Sequence, residues 1–180
     1  TYGDWSSDVC SSDLMNVPTR LIGNSWLLAA CAMLAAWSNS GAEEQGSTPA
    51  MDTLVSAAWL EANLGDPDLV ILDCTVVVEP DGSGGMRSVN GRASYESGHI
   101  ATAGFADLLG DLSDRDSPFA FTVPSPEQFA AAMEQLGVSD DSRVVLYDAS
   151  GSVWAARVWW MLRWIGFDRA ALLDGGLNAW

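Results

Sequence analysis

The chain has 180 residues, of which 48% are hydrophobic and 18% charged, a balance that supports a packed core and excludes a disordered polymer. Its formal net charge of −16 argues against nucleic acid as a partner, because holding a phosphate backbone needs a surplus of positive charge. All eight basic residues are Arg, which excludes a Schiff-base or P-loop lysine, and the single histidine, His99, excludes a His-rich metal site. Cys10, Cys31 and Cys74 lie too far apart for a C-x-x-C motif or a disulfide framework, so no metal and no cofactor are expected.

Residues 1–14 show neither helical nor strand periodicity, resemble translated sequencing adapter and are set aside as a non-native tail. Residues 15–50 read as an export signal and linker. Arg20 supplies a positive charge, and Ser25 to Trp37 is an apolar run of 13 residues. A bilayer span takes about 20, so the run fits the apolar centre of a signal peptide. Small polar residues follow, with Ser40 and Ala42 placed for cleavage. Leu28 to Cys31 also matches a lipoprotein box, with Cys31 as the lipidated residue. The other reading of the run is a buried core helix. The expectation is an exported, periplasmic protein that meets a membrane only through its signal or a lipid on Cys31.

From residue 51 the pattern becomes that of a folded domain. A short strand precedes a helix with Ser56 as N-cap and Leu60 and Leu64 on one face. The run from Asp68 to Asp73 is a strand buried on both faces, and the segment Glu79–Gly85 is a loop. A short helix near Gly91–Ser97 turns at Gly98–Ile100 into another strand, and a helical turn lies near Asp107–Leu109. Ser125, Pro126 and Gln128 open a helix as N-cap, N1 residue and capping-box partner, with Phe129, Met133 and Leu136 on its apolar face and Gly137 as its stop. A second buried strand, Arg143–Asp148, leads through a polar loop into a helix ended by Gly166; a last strand and a Gly-Gly turn follow. Alternating strands and helices predict an α/β fold, a parallel sheet with helices on both faces and its site at the carboxyl ends of the strands. The loops to watch begin at Cys74 and Asp148.

The segment SYESGHIATAGF, Ser94–Phe105, resembles the first signature of the rhodanese superfamily, and LLDGGLNAW, Leu172–Trp180, the second. RVVLYD and AARVWWMLRWIGF, together with GDLSDRDSP and LVSAAWLEANL, are similar to the amino-terminal domain of tandem-domain thiosulfate and 3-mercaptopyruvate sulfurtransferases. The resemblance covers roughly residues 53–180. It implies a rhodanese-like sheet of about five parallel strands over residues 51–180. It also implies transfer of sulfane sulfur from a small sulfur-containing anion, thiosulfate or 3-mercaptopyruvate, to an acceptor such as cyanide or a thiol.

In catalytic members a Cys follows the strand corresponding to VVLY, and the next backbone N–H groups fold around its sulfur, a cradle that lowers a thiol's pKa. Here Asp148 holds that position, and a carboxylate cannot carry a transferable sulfur. The resemblance therefore implies no catalytic residue in this chain. It implies a cleft wall at Asp148, Val153 and Trp154, and a second rhodanese domain of the same polypeptide that brings the Cys. Phe121 stands where the mercaptopyruvate type usually has His, which leans toward thiosulfate. The competing function is an inactive rhodanese-like binding or regulatory module. A phosphatase on a related fold needs an Arg six residues after a Cys; those positions hold Asn16, Trp37 and Pro80.

Other residues favour plain roles. Cys74 reads as a small buried hydrophobe, His99 as a ligand of neighbouring backbone, and Arg157 and Arg163 as ion-pair formers. Trp159, Trp160 and Trp164 read as core or as an interface with a second domain. Asp73 and Asp148 lack a third carboxylate for a metal site.

Overall fold

The structure is a computed structural model that describes residues 51–180; the expectations for the tail, the export signal and Cys31 lie outside the described residues. Seven strands and five helices follow in chain order: β1 Leu54–Val55, α1 Ala57–Asn63, β2 Leu69–Asp73, β3 Val76–Pro80, β4 Met86–Asn90, α2 Arg92–Ser97, β5 Gly104–Phe105, α3 Pro126–Gln135, β6 Arg143–Tyr147, α4 Val153–Trp164, β7 Ala170–Leu173 and α5 Gly176–Ala179. Among the described residues no helix is long and apolar enough to cross a membrane.

Five strands form one parallel sheet in the order β1-β7-β6-β2-β5. The two apolar runs recognised in the sequence become its centre: Leu69 to Asp73 pair residue for residue with Arg143 to Tyr147. A strand flanked on both sides has no solvent face, and accordingly Ile71, Leu72, Val144, Val145, Leu146 and Tyr147 are all buried. The sheet separates two cores. On one face Leu72, Val144 and Leu146 pack with Phe129 and Met133 of α3 and with Ala155, Val158, Met161 and Leu162 of α4. On the other, Ile71, Val145, Tyr147 and Leu173 pack with Leu60 of α1 and with Ile100. Burying side chains of this size contributes about 1.5–3 kcal/mol each, so the sheet centre carries much of the fold's stability.

The caps follow the sequence in part. Ser56 and Ser125 accept N–H bonds from Trp59 and Gln128, at 3.1 and 3.2 Å. Gln128, however, does not close a capping box. Its side-chain amide donates to the carbonyls of Asp111 and Ser113, at 3.1 and 2.9 Å, and so fastens the preceding loop to α3. The expected helical turn at Asp107 is held by that residue's carboxylate, which accepts the N–H groups of Leu109 and Gly110. One element differs outright. The loop expected at Glu79–Gly85 is only the tip of an antiparallel hairpin, with Val76 to Pro80 paired to Asn90 to Met86. The Asp81 carboxylate accepts the N–H groups of Ser83 and Gly85 and closes that tip. These bonds hold the exposed Asp81 carboxyl below the usual carboxylate range.

Candidate functional site

The site starts where β6 stops. Asp148 is the first residue past the strand, at the carboxyl edge of the sheet, and is only 1% exposed. Its loop turns back sharply: Ser152 adopts φ +68°, and α4 begins at Val153. That bend points the first amides of α4 at the Asp148 side chain. Oδ1 accepts the N–H groups of Ser150 and Ser152, at 2.7 and 2.9 Å. Oδ2 accepts those of Trp154 and Ala155, at 2.8 and 2.9 Å. Two loop amides and two from the first turn of a 12-residue helix thus converge on one carboxylate. Bonds to a charged acceptor contribute roughly 1.5–3 kcal/mol each, which offsets the burial of the charge.

The backbone of the loop is held independently. The Asp148 carbonyl accepts the N–H of Leu177 at 3.0 Å. This close approach requires Gly176, where a Cβ would stand 2.6 Å from the Asp148 oxygen and where φ is +57°. The Gly-Gly turn after β7 is therefore a clamp on the β6 loop. From the other side, the hydroxyl of buried Thr75 accepts the N–H of Ala149 at 3.1 Å, and the Thr75 N–H donates to the Asp73 carboxylate at 2.8 Å. Sequence reasoning missed Thr75 and Leu177. Both act across 29 or more residues of chain, and no local pattern marks them.

The two strand-end carboxylates are thus engaged by backbone amides. Between them lies Cys74, fully buried, with its thiol pushed well above its ordinary value by burial and then by the neighbouring charges of Asp73 and Asp148. A thiol so held stays protonated and is a poor nucleophile. Its place is that of a small core side chain. His99 lies with Nδ1 2.8 Å from the Tyr95 carbonyl and its ring stacked on Tyr95 at 4.0 Å, a backbone-directed role.

The wall beside the loop is aromatic. Trp154 stacks on Phe121 with ring centroids 5.1 Å apart, and Val153 is 62% exposed at the head of α4. Phe121 itself sits at φ +61°, a region that bulky residues rarely enter. Arg157 holds it there: the guanidinium donates to the Phe121 carbonyl and faces the Phe121 ring. The ion pair expected for Arg157 is not formed among the described residues, because burial in this loop gives it a carbonyl as partner in place of a carboxylate. Arg163 does pair, with Asp168 at 3.3 Å. Trp159 is anchored by its indole N–H on the Ala170 carbonyl at 2.9 Å, whereas Trp160 and Trp164 remain exposed.

A five-stranded parallel sheet with an amide cradle at the end of its central strand defines the class. The rhodanese-like domain family model matches residues 56–180, and the chain belongs to that family. Its relatives are sulfurtransferases. Thiosulfate/3-mercaptopyruvate sulfurtransferase 1, mitochondrial, of Arabidopsis thaliana is 37% identical over 169 residues, 94% of this chain and 42% of that protein. The 3-mercaptopyruvate sulfurtransferase of Escherichia coli K12 is 39% identical over 126 residues, 70% of this chain and 43% of that protein. Among solved structures, SseA from Escherichia coli, a 3-mercaptopyruvate sulfotransferase, superposes with a TM-score of 0.61 at 37% identity, covering 72% of this chain and 47% of that one. The sulfur transferase subunit of yeast mitochondrial complex I gives 0.60 at 27% identity, covering 71% and 40%. The chain spans less than half the length of each of these relatives.

Proposed function

We propose that this chain is the amino-terminal, non-nucleophilic domain of a tandem sulfurtransferase, forming one wall of a cleft whose reactive Cys belongs to a second rhodanese domain of the same polypeptide. The observation that carries this reading is the Asp148 carboxylate in possession of four amides. A thiolate or persulfide in this cradle would need those donors, and an oxygen acid fixed there offers no sulfur to transfer. The carboxylate excludes an anion by occupying the donors; buried and hydrogen-bonded, it projects little charge outward. The relatives' names support sulfur transfer, and their greater length leaves room for a second domain. In this reading the transferred group is the sulfane sulfur of thiosulfate or 3-mercaptopyruvate, passed to cyanide or a thiol. Apolar Phe121, Trp154 and Val153 line the cleft and keep water from the persulfide. Phe121, standing where the mercaptopyruvate type usually has His, leans the donor toward thiosulfate. Export to the periplasm, directed by residues 15–50, belongs to the same proposal and is checked by fractionating cells that carry the tagged gene.

The test is the reading frame beyond the codon for Trp180. A second domain with Cys after a VVxY-like strand is expected; a stop within about ten codons would replace this reading with that of an inactive binding module. In parallel, this chain alone is expected to move no sulfur from thiosulfate to cyanide. Turnover, or a persulfide on Cys74 after thiosulfate treatment, would contradict the assignment.

A further inference from the structure

Phe121 is a bulky side chain on left-handed backbone, and the loop that carries it gives no reason for the strain. The hydrogen bonds that close this loop pass Phe121 by. The Thr122 carbonyl accepts the Asp114 N–H at 2.9 Å, the Ser117 and Thr122 hydroxyls stand 2.7 Å apart, and the Thr122 hydroxyl donates to the Phe119 carbonyl at 3.0 Å. Phe119 and Ala120, just before it, are exposed. What engages Phe121 comes from α4. Trp154 and Arg157 are three residues apart and so share one side of that helix. Trp154 stacks on the Phe121 ring, while the Arg157 guanidinium donates to the Phe121 carbonyl and lies 5.9 Å from the ring centroid. Relaxing φ to its ordinary negative range would swing carbonyl and ring off both partners.

The contact is costly for Arg157 as well. Burial pushes its guanidinium pKa down, its partner is a neutral carbonyl, and its Nε is buried without a partner among the described residues. Arg163, on the same helix, also leaves Nε unpaired but meets the carboxylate of Asp168. A buried cation on a neutral acceptor and a strained aromatic are thus kept together at one place, beside the amide cradle. Trp154 joins the two features, since its N–H is one of those that the Asp148 carboxylate accepts. Strain that the local structure does not require is the kind that persists where a side chain must be aimed.

We propose that Arg157 is a positioning residue: by gripping the Phe121 carbonyl it keeps the Phe121 ring stacked on Trp154, and so fixes the wall against which the sulfur donor binds. This inference depends on the tandem sulfurtransferase reading above. A wall touches the donor alike before and during the reaction, so loosening it weakens binding and spares the chemical step. The test is steady-state transfer from thiosulfate to cyanide by the polypeptide of the complete reading frame. Arg157→Met keeps an apolar stem and removes the unpaired Nε, so the fold is expected to persist. It is expected to raise KM for thiosulfate about fivefold or more, with kcat within about twofold of wild type. Phe121→Gly, which suits the left-handed backbone and deletes the ring, is expected to do the same. Because Arg157 acts through Phe121, adding Arg157→Met to Phe121→Gly is expected to raise KM no further. Additive increases overturn the proposal. So does an unchanged KM in either folded single variant, or a loss confined to kcat. In each of these cases the wild type still turns over and the tandem reading stands. A wild-type polypeptide that moves no sulfur overturns that reading and this proposal with it.

Discussion

Helices α3 and α4 lie side by side on one face of the sheet and solve the same problem at their amino termini in different ways. At α3 an exposed Ser125 hydroxyl next to the helix takes one amide, with Pro126 pre-set for the first turn. At α4 the adjacent Ser152 makes no side-chain cap, and a buried carboxylate four residues earlier takes four amides. The first arrangement is local and modest. The second requires β6, the Ser152 bend and the turn after β7 to be in place together, so it ties helix capping to the sheet itself. A cap of that kind fastens the loop to the sheet, as the cleft wall proposed above requires.

The comparison is broken most severely at Asp148. Asp148→Ala is expected to lower stability by about 3–4 kcal/mol, read from the urea midpoint, because buried amides lose an ionised acceptor. Asp148→Asn should cost nearly as much, since its NH₂ would face two N–H donors. A loss below about 1 kcal/mol for both would show that water replaces the carboxylate readily. Next comes Gly176→Ala, expected to cost about 2 kcal/mol, since the added Cβ meets the Asp148 carbonyl in left-handed backbone. Thermal unfolding should show it, with Gly65→Ala, where a Cβ meets open space, as the control. Ser125→Ala, at the local cap, should cost about 1 kcal/mol.

The smallest effect at neutral pH is the one that sharpens the contrast between the buried and exposed edges. Burial raises the Cys74 thiol and the Tyr147 phenol above their ordinary values of 9.0 and 10.0. Both groups bind their proton more tightly folded than unfolded. The stability they contribute is therefore complete below about pH 9 and is lost as pH rises through the folded values. Denaturation between pH 7 and 11 should show a flat region and then a decline, with the onset displaced upward in Cys74→Ala. In the same samples Cys74 should resist thiol reagents until the domain unfolds.

These contrasts also mark what the sequence could disclose. DLVILD and RVVLYD were legible as central strands because uninterrupted apolar runs have few other fates, and Ser56 and Ser125 were legible because capping is decided within three residues. Asp148 was legible as a position, through its place after RVVLY. Its role as the cap of α4 was not, because six and seven residues separate it from two of its donors and only the folded bend brings them together. The hairpin was hidden by its Gly- and Ser-rich tip, which masks the pairing of the strands on either side. Gln128 and Arg157 took carbonyl partners 15 to 36 residues away, distances at which helical spacing carries no information.

The carbonyl of Asp148, gripped by Leu177 across Gly176, has one more implication. Main chain and side chain at this position are secured by separate fastenings. The peptide frame can accordingly stay put while the functional group mounted on it is exchanged, as a lathe keeps its chuck when the tool is changed. That independence leaves the peptide frame two anchors, at Leu177 and Thr75, that do not depend on which side chain stands at position 148.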